Sequence, residues 1–124
     1  MKIEISNGDL VDKISILTIK LEKIKNSEKL NNIKKEFKIL YEDMLSLGIT
    51  KKSKSFLALK EVNLILWEVE DQIRIKEAAR EFDEKFIELA RRVYFENDKR
   101  SAIKRKINLK TSSNLIEEKE YVKY

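Results

Sequence analysis

Apolar residues recur at spacings of three and four from Leu10 to Ile107, and no proline interrupts the pattern anywhere in the chain. Side chains spaced this way share one stripe of a 3.6-residue helix, while an interior proline would cost about 3 kcal/mol. The only glycines are Gly8 and Gly48. The fold class expected is therefore all-α. A chain of 124 residues carrying one continuous pattern reads as one helical domain, 1–124, since domains of roughly 100–150 residues are the commonest size.

Four helices are predicted, over about 8–25, 28–47, 55–79 and 82–109. Ser6 and Asp9 have capping-box spacing at the first start, where a hydroxyl accepts from a first-turn amide and an acid favours the positive end of the dipole. Leu10, Ile14, Leu17, Leu21 and Ile24 follow on one face, and Val11, Ile16 and Ile19 widen it. A helix apolar on more than one side packs on more than one side, so this first helix is expected to be central. Asn26 or Ser27 caps the second helix, whose Leu30, Ile33, Phe37, Leu40, Met44 and Leu47 run to a stop at Gly48. So short a connection makes the first two helices an antiparallel hairpin. Ile49 to Ser55, with its three lysines, reads as a loop. Leu59, Val62, Leu66, Val69 and Ile73 form the third stripe, a break falls near Ala78 to Glu81, and Phe86, Leu89, Ala90 and Val93 open the fourth. The whole is a four-helix, mostly antiparallel, hairpin-built bundle with a short N-terminal arm and a C-terminal tail.

Composition narrows the chemistry. Neither cysteine nor histidine is present, which excludes disulfides, thiolates and the usual neutral-pH base, and restricts any metal to a hard, oxygen-liganded one. There is no signal-peptide core and no apolar run of about 18 residues, so no membrane insertion and a cytoplasmic location are expected. The net charge is +5, with a local bias between Phe95 and Lys110 of six basic residues against two acidic ones. Such a bias can attract phosphate, although a solvated helix face accounts for it as well. Nucleic acid is disfavoured as a partner because no recognition motif accompanies the charge.

Polar residues stand where a bundle helix should be apolar. Asn63, Trp67, Glu70 and Arg74 share one stripe of the third helix; Tyr94, Asn97, Lys104 and Asn108 share one of the fourth. With Arg100 and Asp98 flanking, the second stripe offers a phosphate or sugar a phenol, two amides and cations. The same residues equally make a buried hydrogen-bond network joining this helix to the first and third, with Asp12 and Lys13 as members. Trp67, the only tryptophan, serves either as a core anchor or as a stacking platform. Glu68 and Asp71, three apart, could hold a hard cation. All-α nucleotide pyrophosphohydrolases use such pairs, but the nearest second pair here, Asp9 with Asp12, is far away in sequence. Salt bridges to Arg74 or Lys60 explain the same acids.

Four separated blocks, NGDLVDKISILTIKLEKI, VNLILWEVEDQIR, FIELARRVYFENDKRSAIKRKIN and EEKEY, resemble those of a family of small bacterial proteins of unknown function. The resemblance covers nearly the whole chain. Its typical positions match Gly8, Asp12, Lys13, Asn63, Trp67, Glu70, Asp71, Arg74, Phe86, Tyr94, Asn97, Asp98, Arg100, Lys104, Asn108, Glu118, Lys119 and Tyr121. It departs in a short Ile49 to Ser55 segment and in Glu120, where a small residue is usual. The resemblance implies an association with glycosyltransferase and surface-polysaccharide genes, and no activity.

The function expected is a non-enzymatic accessory or interaction module, linked to glycan assembly, in which Asp12, Lys13, Asn63, Trp67, Glu70, Asp71, Tyr94, Asn97, Arg100, Lys104 and Asn108 form a network that takes an anionic or sugar-phosphate ligand near Lys13, Arg100 and Lys104. No cofactor is expected. The alternative is a magnesium-dependent nucleotide pyrophosphohydrolase using Glu68, Glu70, Asp71 and Asp98; a nucleic-acid-binding protein ranks third. A second copy of the chain, paired through leftover apolar surface on the second helix, or another protein, is the partner expected.

Overall fold

The computed structural model describes all 124 residues. Its helices are α1 (Asn7–Lys23), α2 (Ser27–Ser46), α3 (Lys54–Ala78) and α4 (Glu84–Lys110), and there is no strand. None is long and apolar enough to cross a membrane.

Local chemistry sets most helix ends. Ser6 Oγ accepts from Asp9 N–H at 3.1 Å and Asn26 Oδ1 from Lys29 N–H at 3.0 Å, each satisfying a first-turn amide that the helix itself leaves unpaired. Gly48 adopts φ 76° just beyond α2, a left-handed conformation that costs glycine no Cβ clash. Two ends differ from the expected ones. α1 stops at Lys23 because Ile24 is already extended, with ψ 134°. α4 begins at Glu84 and not at residue 82, because Asp83 Oδ1 accepts from Phe86 N–H at 3.0 Å; Phe82 has no group to offer as a cap.

α1 packs against each of the other three helices, α3 against α1 and α4, and α2 against α1 alone. The apolar surface of α1 on more than one side is thus used, with Val11, Ile14, Leu17 and Ile19 all buried. Val11 and Ile14 meet Met44, Ile49, Phe56, Leu59 and Ile107 in the main core. Burying such a side chain contributes about 1.5–3 kcal/mol. Ile49 belongs to the predicted loop, yet it is buried and closes this end of the bundle.

The α4 C-terminus is stitched to the α1 N-terminus. Gly8 N–H donates to Asn108 Oδ1 at 2.6 Å, Asn7 N–H to Ser113 Oγ at 2.9 Å and Asn7 Nδ2 to Thr111 Oγ1 at 2.9 Å. A Cβ on Gly8 would lie 2.5 Å from the Lys104 carbonyl oxygen, so only glycine lets the two backbones approach this closely. After Thr111 the tail folds back along α4. Glu117 meets Lys104 at 3.0 Å, Glu118 meets Arg105 at 3.0 Å, Lys119 donates to Ser101 at 3.0 Å, and the Tyr124 hydroxyl donates to Asp98.

Candidate functional site

The residues flagged on polar stripes divide into three groups in space. The first lies where α1, α3 and α4 meet. Asp12 is buried, and its carboxylate accepts from Arg100 Nε at 2.9 Å, from Arg100 Nη2 at 2.5 Å and from Asn63 Nδ2 at 2.9 Å. The second proton of Asn63 Nδ2 goes to Ser15 Oγ at 2.8 Å, and Ser15 donates to the Asp12 carbonyl at 2.7 Å. One carboxylate thus ties three helices together through a forked guanidinium contact, the strongest form of ion pair. Its hydrogen bonds hold the Arg100 guanidinium above its ordinary range, against the opposing effect of burial.

Beside this pair opens a groove of about 380 Å³ lined by Ile16, Ile19, Asn63, Leu66, Trp67, Glu70, Asp71, Asn97 and Arg100. Trp67 is half-buried, with its ring forming part of the wall, so it is neither a fully enclosed anchor nor a free platform. Asn97 reaches Arg100 Nη1 only at 3.5 Å, which leaves its amide largely uncommitted. Glu70 faces Arg74 at 3.5 Å. Asp71 is exposed and has no cationic partner, so the groove carries one uncompensated negative charge.

The second group is structural at its centre. Lys104 is mostly enclosed and held between Asp9 at 2.8 Å and Glu117 at 3.0 Å. Burial lowers the Lys104 pKa, but the bonds from Asp9 and Glu117 outweigh it and leave the ammonium above its ordinary value. Asp9 is the mirror case: partial burial raises its pKa, while Lys104 pulls it below the ordinary 3.8. Asn108, 1% exposed, is the acceptor for Gly8. Tyr94 lies outward in an aromatic cluster with Phe95 and Tyr124, where the Tyr124 hydroxyl, bonded to Asp98, has its pKa pushed up to about 12.

Lys13 forms the third group alone. It sits one turn after Asp9 on α1, exposed and paired with Glu36 of α2 at 3.0 Å, so it does not join Arg100 and Lys104. The expected meeting of those three cations around one anion is therefore not made, and each is already matched to a carboxylate. The acids do not converge either: no group of three or more carboxylates could hold a metal ion. Glu68 lines the far side of α3 with Lys85 and Arg92, and Asp98 faces Tyr124. The magnesium reading of Glu68, Glu70, Asp71 and Asp98 loses its geometry.

Sequence reasoning missed two buried polar residues, one of them in the network. Ser15 is fully buried at the hub; a hydroxyl three residues after Asp12 on an otherwise apolar face is the signal that marks it. Glu96 is buried beneath Lys99 at 3.1 Å and Arg92 at 3.9 Å, and its Oε2 is enclosed without a partner. Cations one turn either side are its only trace in the sequence.

Searches of curated proteins and of solved structures find no match. A family of unknown function, DUF6165, matches residues 1–123. The chain, with its α1–α3–α4 network and the groove beside it, belongs to that family.

Proposed function

We propose that the protein is a non-enzymatic binding module that receives a hydroxyl-rich ligand, a sugar or amino sugar, in the α1–α3–α4 groove, and that it serves glycan assembly. The observation that carries this reading is the half-buried Trp67 ring standing beside the unpaired Asp71 carboxylate and the open Asn97 amide. Sugar recognition needs an apolar face for C–H groups and mixed donors and acceptors for hydroxyls. The buried Asp12–Arg100 pair beneath keeps the wall in one position, which lowers the ordering cost of binding. A free phosphate is the poorer fit, since Arg100 is held by Asp12 and the surplus charge is negative. The glycan context rests on the family resemblance alone.

The single tryptophan makes the test direct. Titration of hexoses, hexosamines and N-acetylhexosamines should change Trp67 emission saturably for at least one class, with affinity near 1 mM, roughly −4 kcal/mol. Asp71→Asn should weaken a hexosamine more than the neutral sugars. Absence of a saturable change with every class would sink the proposal.

A further inference from the structure

Many lysines have no carboxylate partner, and three of them share one cleft. A second cleft, of about 950 Å³, opens between the α2–α3 connection, the start of α3 and the last turns of α4, and it shares no lining residue with the groove. None of its 13 lining residues is acidic, in a chain that carries 22 carboxylate side chains. Lys54, Lys106 and Lys110 line it. None of the three is in a salt bridge, a property they share with most lysines of the chain; what sets them apart is that they line one acid-free space. Lys110 lies in the last turn of α4 and complements the negative end of that helix. Lys54 has the reverse setting: it opens α3, where the dipole is positive and the first turn holds no acid. Ser53 does not cap that turn, because its Oγ accepts instead from Thr50 N–H at 2.9 Å. Positive side chains, unpaired amides and the positive end of the α3 dipole thus face one space without a carboxylate, and the negative end of α4 beside them is offset by Lys110. Between them the wall is apolar, with the partly exposed Leu47, Ala58 and Ile103.

We infer that this cleft is a binding site for a phosphomonoester carrying an apolar body, with the phosphate held by Lys54, Lys106 and Lys110 and the body laid on Leu47, Ala58 and Ile103. A dianionic oxygen cluster supplies what the three ammonium groups and the α3 amides lack. The apolar wall distinguishes the ligand from bare phosphate.

The test is an amide-shift titration of the isotope-labelled full chain at low ionic strength, with inorganic phosphate and with phenyl phosphate as probes. Both should saturate shifts at Gly48, Ile49, Ser55 and Phe56, and phenyl phosphate should do so at lower concentration. Lys106→Gln with Lys110→Gln should weaken both probes about tenfold, whereas Lys13→Gln should leave them unchanged. The substituted lysines are exposed, and Lys54→Gln provides an independent variant on another helix. Shifts that never saturate, that spread evenly over the basic face of α4, or that survive these substitutions would overturn the site. Equal affinity for the two probes would overturn the apolar body.

Discussion

At the scale of single residues, Gly8 and Asp12 are the positions where geometry leaves least freedom. Gly→Ala at an open helical site stabilises by about 0.4–1 kcal/mol, but the new Cβ at Gly8 would sit 2.5 Å from a backbone oxygen and 2.9 Å from Asn108 Oδ1. Gly8→Ala should therefore destabilise by about 1–3 kcal/mol, read from urea midpoints; a gain would mean that α1 and α4 separate easily. Asp12→Ala leaves Arg100 and Asn63 without their shared acceptor and should cost about 3–5 kcal/mol. Adding Arg100→Leu should recover part of that loss, since the stranded charge goes with it. A double variant as unstable as the sum of the two singles would show that the pair is not coupled. The sequence placed Asp12, Asn63 and Arg100 on the right faces, because helical periodicity assigns a face to each residue. It could not pair them, because partners 51 and 88 positions apart are chosen by packing.

At the scale of elements, ion pairs add to the neutral hydrogen bonds that join the α1 N-terminus, α4 and the tail. Asp9 titrates below its ordinary 3.8 in the folded chain, so its stabilising effect is fully present above that pH and is lost as the pH falls through the lower folded value. Lys104 titrates above 10.5, so its contribution is complete below that pH and disappears as the pH rises through the folded value. Urea midpoints should accordingly fall on the acid side below about pH 4, and Asp9→Asn should flatten that limb; parallel curves would remove Asp9 from the account. The pairs of Glu118 with Arg105 and of Glu117 with Lys119 are largely solvent-exposed, so salt should loosen the tail. Protease cleavage between Glu117 and Tyr124 is expected to quicken at about 1 M NaCl while α4 stays intact; unchanged cleavage would point to the Tyr94, Phe95 and Tyr124 cluster as the anchor. The tail's path along α4 had no sequence signature, since it is made of ion pairs and ring contacts without periodicity.

At the scale of the whole molecule, α1 is the hub and α2 the outlier. The C-terminal end of α2 enters the main core through Met44, while its N-terminal half buries only Ile33. Elements with few buried contacts open at lower free energy. Amide exchange should therefore be faster over Leu30 to Phe37 than over Ile14 to Leu17, under conditions where exchange reports local opening; equal protection would imply that the bundle opens as one unit. Ile39 and Leu45 are exposed on this same helix, and sedimentation at rising concentration tests whether a second copy pairs there.

By itself the sequence determined the helices, their order and most of their ends, because propensity, capping and three-four periodicity act over a few residues. It also determined the chemical inventory, carboxylates, amides and cations without thiol or imidazole. Only the tertiary structure decided which charges are spent on one another. Arg100 and Lys104 lie on the expected face of α4, yet Asp12 and the Asp9–Glu117 pair neutralise them; Lys13 points to α2; and three of the lysines left without carboxylates, Lys54, Lys106 and Lys110, come together in one cleft. Ion pairing depends on distances of a few ångströms between residues remote in the chain, and those distances are set by how the helices pack.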